Sequence, residues 1–99
     1  MNQSIENDVL TLTMEKNLLS TTVVSLREKC KQTFTDSSFK EMVIDLAKID
    51  TIDSKGLNFL IGLYKECSQR NILFRITGTS PELRQLFAFV RLIEKFNIS

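Results

Sequence analysis

A short polar segment, residues 51–57, joins two apolar runs of different periodicity, and it constrains the fold more than any other part of this chain. Before it, residues 42–47 are almost continuously apolar, which is typical of a central strand covered on both faces. After it, residues 57–67 carry apolar side chains at helical spacing. The segment therefore places Asp53 and Ser54 at the N-terminal end of a helix, where free backbone N–H groups and the helix dipole stabilise negative charge.

Three other segments have the composition of strands. Residues 9–14 alternate in part and are rich in strand-forming residues, and residues 72–77 form a similar run that ends at Gly78. Residues 2–6 could pair with residues 9–14 as a short first strand. At the other end of the chain, Phe96 and Ile98 predict either a final short strand or an extended tail that covers the core.

Two further helices are predicted, one on each side of the central region. The last helix begins at Ser80, a capping residue followed by Pro81 at the first helical position and an acidic residue in the first turn. The first helix has Ser20 as its candidate N-cap. Its apolar face is formed by Val23, Leu26, Cys30 and Phe34.

Together these elements predict a single α/β domain over residues 1–99, in the order β(β)αβαβα. Short connections between alternating strands and helices favour a parallel sheet, and an antiparallel N-terminal pair would make it mixed. We expect a mixed, mostly parallel sheet of four to five strands with three to four helices. Gly62, in the middle helix, is expected to allow a close approach of that helix to the sheet.

Composition argues against several classes of function. The net charge is +1, with 13 basic and 12 acidic residues, so we expect no nucleic-acid partner. No apolar run approaches the roughly 20 residues of a membrane span, and the N-terminus does not resemble a signal peptide, so we expect a cytoplasmic protein without direct membrane insertion. The chain has no histidine, the commonest general base and metal ligand, which lowers the expectation of an enzyme.

The cysteines and the central aspartates predict no cofactor or metal. Cys30 and Cys67 lack the paired spacing of metal ligands and are predicted to be buried free thiols. Asp45, Asp50 and Asp53 lack the pattern of a calcium loop and are predicted to be ordinary carboxylates near strand ends. Asp45 would then bond nearby backbone or hydroxyl groups, because a buried unpaired carboxylate is costly.

The motifs and their order resemble one known family. Residues 52–57 (I-D-S-K-G-L) open a helix after a strand; residues 72–77 form the next strand; and residues 79–84 (T-S-P-E-L-R) open the last helix after Gly78. A D-S-x-G tetrapeptide alone is a weak signal, but this arrangement is specific. The chain resembles the STAS domain, the fold of bacterial anti-sigma factor antagonists, over nearly its whole length.

The resemblance implies a non-enzymatic signalling module of a partner-switching pathway. In that family a serine kinase of the GHKL type, which often doubles as the anti-sigma factor, phosphorylates the D-S-[ST]-G segment, and a PP2C-type phosphatase resets it. The matching acceptor in this chain is Ser54. The residues expected to bind the partner are Asp53, Ser54, Lys55, Gly56, Leu57 and Asn58.

Two positions depart from the family pattern. Lys55 stands where many members have a second hydroxyl residue, in some of them the acceptor, and Arg91 stands where a glycine often ends the last helix. The residues of the motif also have a purely structural interpretation, in which Ser54 or Asp53 caps the helix and Gly56 relaxes the turn. Residues 36–38 (D-S-S) resemble an acceptor by composition but are predicted to be a turn.

Two other functions remain open from the sequence. STAS proteins of another branch are constitutive cytoplasmic subunits of ABC-type lipid transport complexes, and Lys55 would suit such a subunit because it replaces a hydroxyl acceptor. A small enzyme has little support, since the sequence contains no recognisable nucleophile constellation or cofactor loop.

Overall fold

Four strands form one sheet, in which neighbours in sequence are also neighbours in space; the computed structural model describes residues 1–98. The pair β1–β2 is antiparallel, whereas β2–β3 and β3–β4 are parallel. The strands are β1 (Asn2–Glu6), β2 (Val9–Thr13), β3 (Glu41–Asp45) and β4 (Leu73–Thr77). The predicted mixed, mostly parallel sheet is therefore confirmed, at the lower of the two strand numbers.

The N-terminal hairpin depends on a two-residue turn. Asn7 and Asp8 both have positive φ angles, 52° and 66°. Two positive φ angles between paired strands are characteristic of a type I′ turn, whose twist matches that of the strands and which favours asparagine and aspartate. The register that follows, with Glu6 opposite Val9, confirms the short first strand.

Three helices pack on one face of this sheet. They are α1 (Val23–Asp36), α2 (Ser54–Gln69) and α3 (Pro81–Phe89). Leu12, Ile44 and Ile76 occupy one register row of β2, β3 and β4, and all three are fully buried in the core with the apolar residues of the helices. Burial of this apolar layer is the main source of stability for a chain of this size.

The other face of the sheet is open to solvent. Its central row is Ser4, Thr11, Val43 and Arg75, of which only Val43 is buried. The Arg75 guanidinium forms an ion pair of 3.0 Å with Glu41 across this face. The prediction that the β3 run is covered on both faces is therefore wrong. The run looks continuously apolar because Val43, on the open face, stands between the core residues Met42 and Ile44. Val43 itself lies outside the main core cluster.

The starts of α1 and α3 differ in how their caps form. At α3, the Ser80 hydroxyl accepts a hydrogen bond of 3.2 Å from the Leu83 N–H and Pro81 is the first helical residue, as predicted. At α1, the predicted cap Ser20 is wrong, because the helix begins at Val23 and Thr22 occupies the N-cap position. The Ser20 N–H is instead bonded to a distant aspartate, described below.

The C-terminal segment closes the end of the core. Phe96 is fully buried, with its ring centroid 5.4–5.8 Å from those of Tyr64, Phe74 and Phe87. Ile98 forms a single parallel bridge with Ile76. Of the two predictions, the tail that covers the core is therefore the better description. The segment covers the core through turns and one bridge rather than as an extended chain. The predicted tail extends to Ser99, which lies outside the described residues.

The end of α3 explains the second departure from the family pattern. Arg91 has a φ of 60°, the left-handed conformation in which helices commonly end. The Leu92 N–H donates to the Phe87 carbonyl at 2.8 Å, and the Arg91 N–H donates to the Ala88 carbonyl at 3.0 Å. These two bonds are those of a Schellman motif, so the helix ends here although the residue is arginine where glycine is preferred.

Candidate functional site

Ser54 is the first residue of α2 and its side chain is exposed. The residue that caps the helix is Asp53, immediately before it. Within residues 1–98, no hydrogen bond of the Ser54 hydroxyl is found. Of the two structural interpretations of the motif, capping by Ser54 is therefore wrong and capping by Asp53 is confirmed. The Ser54 hydroxyl is left available at a helix N-terminus.

The Asp53 carboxylate makes two hydrogen bonds with main-chain donors. Oδ1 accepts the Gly56 N–H at 2.8 Å, which is the helix cap, and Oδ2 accepts the Ser20 N–H at 2.8 Å. Both bonds favour the ionised carboxylate, so they hold the pKa of Asp53 below its usual value. Asp53 thus joins the start of α2 to the segment that precedes α1.

Residues 17–20 bind the loop that precedes Ser54 in sequence, through main-chain groups and through the side chain of Asn17. The Asn17 side-chain oxygen accepts the N–H groups of Asp50, at 3.0 Å, and Thr51, at 3.2 Å. The Leu18 N–H donates to the Thr51 carbonyl at 3.2 Å, and the Asp53 N–H donates to the Leu18 carbonyl at 3.1 Å. The loop is therefore fixed on both sides of Ile52, which pairs with Leu18 in a parallel bridge.

Asn17 is a residue that sequence reasoning missed. Its partners lie 33 and 34 positions away along the chain, and no local pattern marks an asparagine with such a role. Residues 15–17 are polar and have no pattern beyond that of a connection after β2. The bond to Asn17 becomes predictable only once β2 and β3 are known to be parallel neighbours, since this brings the loops after them to the same edge of the sheet.

Gly56 is buried and makes close contact with the chain itself. A Cβ at this position would lie 2.0 Å from the Leu18 carbonyl oxygen and 2.9 Å from the Leu18 Cβ. Real side chains do not tolerate such distances, so glycine is needed for the approach of residues 17–20 to α2. The structure thus gives Gly56 an internal packing role. Its predicted contact with a partner stays a prediction.

The other predicted partner-binding residues divide into exposed and supporting positions. Lys55 is exposed beside Ser54, and Asn58 is exposed one helical turn further along α2. Leu57 is half-buried and packs against the core. We refer to Ser54, Lys55 and Asn58 as the Ser54 surface. This surface combines a free hydroxyl, a cation and an amide at a helix start that Asp53 bonds to Ser20 and Leu18.

The D-S-S sequence at residues 36–38 lies at the opposite end of the fold. Asp36 is the last residue of α1 and Ser37 is its C-cap. The C-terminal end of a helix carries the negative end of the dipole, which disfavours an added phosphate. The predicted turn at residues 36–38 is wrong, because Asp36 belongs to α1 and Ser37, with a φ of −126° and a ψ of 155°, is extended. That this segment is not an acceptor stays a prediction.

The remaining candidate groups have structural roles. The Asp45 carboxylate accepts the Ala47 N–H at 2.9 Å, as expected of a carboxylate at a strand end. Cys30 and Cys67 are buried free thiols, as predicted, and burial raises their pKa values to about 11 and about 12. Across residues 1–98, no three cysteine or acidic side chains are grouped as metal ligands would be. In the same part of the chain, every helix is too short or too polar to span a bilayer.

Comparison with known proteins gives the family. The model of the STAS domain family matches residues 1–99. Among solved structures, TM1081 of Thermotoga maritima, assigned as an anti-sigma factor antagonist, superimposes with a TM-score of 0.90. It is 18% identical, over 98% of this chain and 83% of its own.

Two further structures show how widely the fold is used. The Bacillus cell fate determinant SpoIIAA, an anti-sigma factor antagonist, gives a TM-score of 0.77 in its phosphorylated form. It is 15% identical, over 99% of this chain and 89% of its own. A sulfate transporter family protein of Wolinella succinogenes also gives 0.77, with 17% identity over 94% of this chain and 75% of its own. At sequence identities of 15–18%, these structural similarities establish that the fold is shared.

Proposed function

The chain belongs to the STAS domain family, and on that premise we propose that it is a signalling module of the anti-sigma factor antagonist kind, controlled by phosphorylation of Ser54. In the unphosphorylated state the Ser54 surface binds a GHKL-type serine kinase that doubles as an anti-sigma factor. The observation that carries the proposal is the free hydroxyl of Ser54, exposed at the start of α2 while Asp53 supplies the cap.

The N-terminus of α2 lowers the electrostatic free-energy cost of a phosphate on Ser54 in the folded protein. A phosphoserine adds about −1.5 to −2 charges at neutral pH. At Ser54 this charge meets the positive end of the α2 dipole, and the next residue, Lys55, is an exposed cation. The neighbouring Asp53 carboxylate directs its two oxygens to the Gly56 and Ser20 N–H groups, so it is already neutralised in part by main-chain donors.

The same phosphate disfavours a complex. A partner that docks flush against the Ser54 surface must strip water from the phosphate, and a desolvated charge without a matched counter-ion costs several kcal/mol or more. No refolding is required for this effect, since the loop before Ser54 is held by Asn17, Leu18 and Ser20. Phosphorylation therefore acts as a local change of charge on a rigid surface, and a PP2C-type phosphatase restores binding.

Lys55 favours a second candidate function. Since Lys55 replaces the second hydroxyl of the motif, the chain has one acceptor where many members have two. A protein that is not regulated by phosphorylation would keep the partner-binding surface but would not need the phosphate-accepting hydroxyl residues. Under this alternative the chain is a constitutive cytoplasmic subunit of an ABC-type lipid transport complex, and its partner is an ATPase subunit.

Affinity capture with matched variants separates the two functions. Wild-type protein, Ser54→Ala, Ser54→Asp and the control Ser38→Asp are each used as bait in extracts of the native cells, and captured proteins are quantified by mass spectrometry. Ser38 is exposed and lies far from α2 in sequence. We expect a serine kinase to be captured by wild type, Ser54→Ala and Ser38→Asp, and at least tenfold less by Ser54→Asp. Capture of a transporter ATPase, equal for all four baits, would favour the alternative.

A further inference from the structure

A groove of about 480 Å³ runs between α1 and α2 on the solvent side of the helical layer. Its floor is apolar and is formed by buried side chains of both helices, namely Cys30, Phe34, Phe59 and Leu63. Gly62 leaves the α2 side of the groove open, because a Cβ there would meet no atom within 4 Å. The prediction that Gly62 permits a close approach to the sheet is therefore wrong, since Gly62 faces the groove and is exposed.

The rim of the groove is basic. Three cations line it, Arg27, Lys31 and Arg70, against one carboxylate, Glu66. Two of the three cations have acidic partners, since Arg70 Nε lies 2.9 Å from Glu66 Oε1 and Lys31 Nζ lies 4.0 Å from the exposed Glu28. The Arg70 guanidinium is also 5.0 Å from the centre of the Phe34 ring, at cation–π distance. With Glu28 and Glu66 counted, the rim keeps an excess of positive charge, which favours acidic ligands.

The groove continues toward the Ser54 surface. Asn58, which belongs to that surface, is also one of the groove residues. The two helices begin side by side, because the Ser20 N–H just before α1 is bonded to Asp53 just before α2. On α1, Val24 lies in the same helical row as Arg27 and Lys31 and is 68% exposed, so it adds an exposed apolar side chain to that row toward the start of the helix. A ligand in the groove can therefore touch the Ser54 surface at the same time.

We propose that this groove binds an acidic amphipathic helix of the partner protein. One large apolar side chain of that helix enters beside Gly62, and its carboxylates face Arg27 and Lys31. The volume is within the range of about 300–1,000 Å³ typical of binding pockets, and an apolar groove between helices is the usual seat of an amphipathic helix. The identity of the partner rests on the proposed function, whereas the chemistry of the ligand rests on the groove alone.

The charges argue against a second copy of this chain as the occupant. The most exposed aromatic residue of the protein is Phe89 on α3, with 86% of its surface accessible. Arg91 lies two residues after it. A copy that inserted Phe89 into the groove would carry Arg91 toward Arg27 and Lys31, and like charges at an interface are costly.

Peptide binding tests the groove without any partner protein. The probe is a fluorescein-labelled, helix-stabilised peptide with glutamates on one face and a single phenylalanine, measured by anisotropy and by amide chemical shifts of the ¹⁵N-labelled protein. Gly62→Leu fills the groove, and the double change Arg27→Glu with Lys31→Glu reverses its rim. The matched controls are Ala88→Leu and the double change Arg84→Glu with Lys95→Glu, all at exposed positions that do not line the groove.

We expect both groove variants to weaken peptide binding at least tenfold, both controls to change it less than twofold, and Asn58 and Gly62 amides to shift on binding. A peptide with lysines in place of the glutamates should bind at least tenfold more weakly.

Equal binding to Gly62→Leu, equal binding of the lysine peptide, or absence of shifts at millimolar acidic peptide would each overturn the proposal. So would a concentration-dependent dimer that Gly62→Leu abolishes, or binding of decanoate in preference to the peptide. If the peptide fails while Ser54→Asp still releases the kinase, the groove proposal alone is lost.

Discussion

Gly56 and Leu18 are packed so closely that a Cβ on Gly56 would lie 2.0 Å from the Leu18 carbonyl oxygen. This contact joins the first turn of α2 to the segment that follows β2. The Asp53 N–H donates to the same carbonyl at 3.1 Å. The start of α2, and with it Ser54, is therefore positioned by the main chain of a segment more than thirty residues away.

The two α2 glycines should respond in opposite directions to alanine. Gly56→Ala forces Leu18 or the helix to move, and we expect a loss of about 1–3 kcal/mol in the free energy of unfolding, as for other overpacked sites. Gly62→Ala meets open space in a helix interior, and we expect a gain of about 0.5–1 kcal/mol. Urea denaturation followed by circular dichroism measures both. A stabilising Gly56→Ala would contradict the packing described here.

The left-handed residue at the end of α3 offers a stabilising substitution. Arg91 has a φ of 60°, a conformation that costs a residue with a Cβ roughly 1–2 kcal/mol and costs glycine little. Part of this gain is offset by the greater freedom of glycine in the unfolded chain, so we expect Arg91→Gly to stabilise the protein by about 0.5–1 kcal/mol.

Asn71 provides the matched control for this substitution. It ends α2 with a φ of 59°, but asparagine tolerates the left-handed region better than arginine does. Asn71→Gly should therefore gain less than Arg91→Gly in thermal or urea denaturation. A larger gain at Asn71, or a loss at Arg91, would be inconsistent with the helix end observed at Arg91.

The Asp53 carboxylate should make stability depend on pH. Because its pKa is lowered in the folded state, its contribution is present above the pKa of an unfolded aspartate, about 4, and is lost as the pH falls through the lower folded value. We expect wild type to be more stable than Asp53→Ala at pH 7, with the difference shrinking below pH 4. Denaturant titrations of both proteins from about pH 2.5 to about pH 7, a range that spans the pKa of an unfolded aspartate, provide the measurement. A difference that grows on acidification would contradict the assigned bonds.

The two thiols should be unreactive in the folded protein. Burial raises the pKa of Cys30 to about 11 and that of Cys67 to about 12, so almost no thiolate is present at neutral pH, and the thiolate is the reacting species. We expect Ellman's reagent to label neither residue of the native protein within the time in which it labels both in urea. An added exposed thiol, Ser38→Cys, serves as the positive control. Rapid labelling of the native wild type would show that the core around these thiols opens.

The order of elements could be predicted from the sequence because it depends on local patterns. The apolar run of β3 and the spacing of Leu60 and Leu63 each mark one element, and Ser80 caps its helix through a bond only three residues away. Ser20 has the same capping character but its N–H is taken by Asp53, which tertiary structure alone decides. The open face of the sheet was missed for a similar reason, since Val43 looks like a core residue until its neighbours Thr11 and Arg75 are known.

The residues of the candidate site could be predicted from the sequence, whereas the distant residues that hold them in place could not. The sequence around Ser54 marked a helix start, and the structure shows which of two adjacent polar residues caps it. The roles of Asn17 and Leu18 in holding that start depend on parallel pairing of β2 with β3, which brings distant loops together. The groove beside Gly62 likewise depends on how α1 and α2 lie against each other.

The central claim is that Ser54 carries a phosphate in the cell, and phosphosite mapping of the protein isolated from its native cells tests it most directly. Intact-mass analysis gives the number of phosphates, and fragmentation of the peptide that contains residues 51–58 locates them. The account predicts a fraction of molecules with one phosphate, mapped to Ser54, that changes with growth conditions. A protein unphosphorylated under every condition, or phosphorylated only at Thr51 or Ser37, would contradict it.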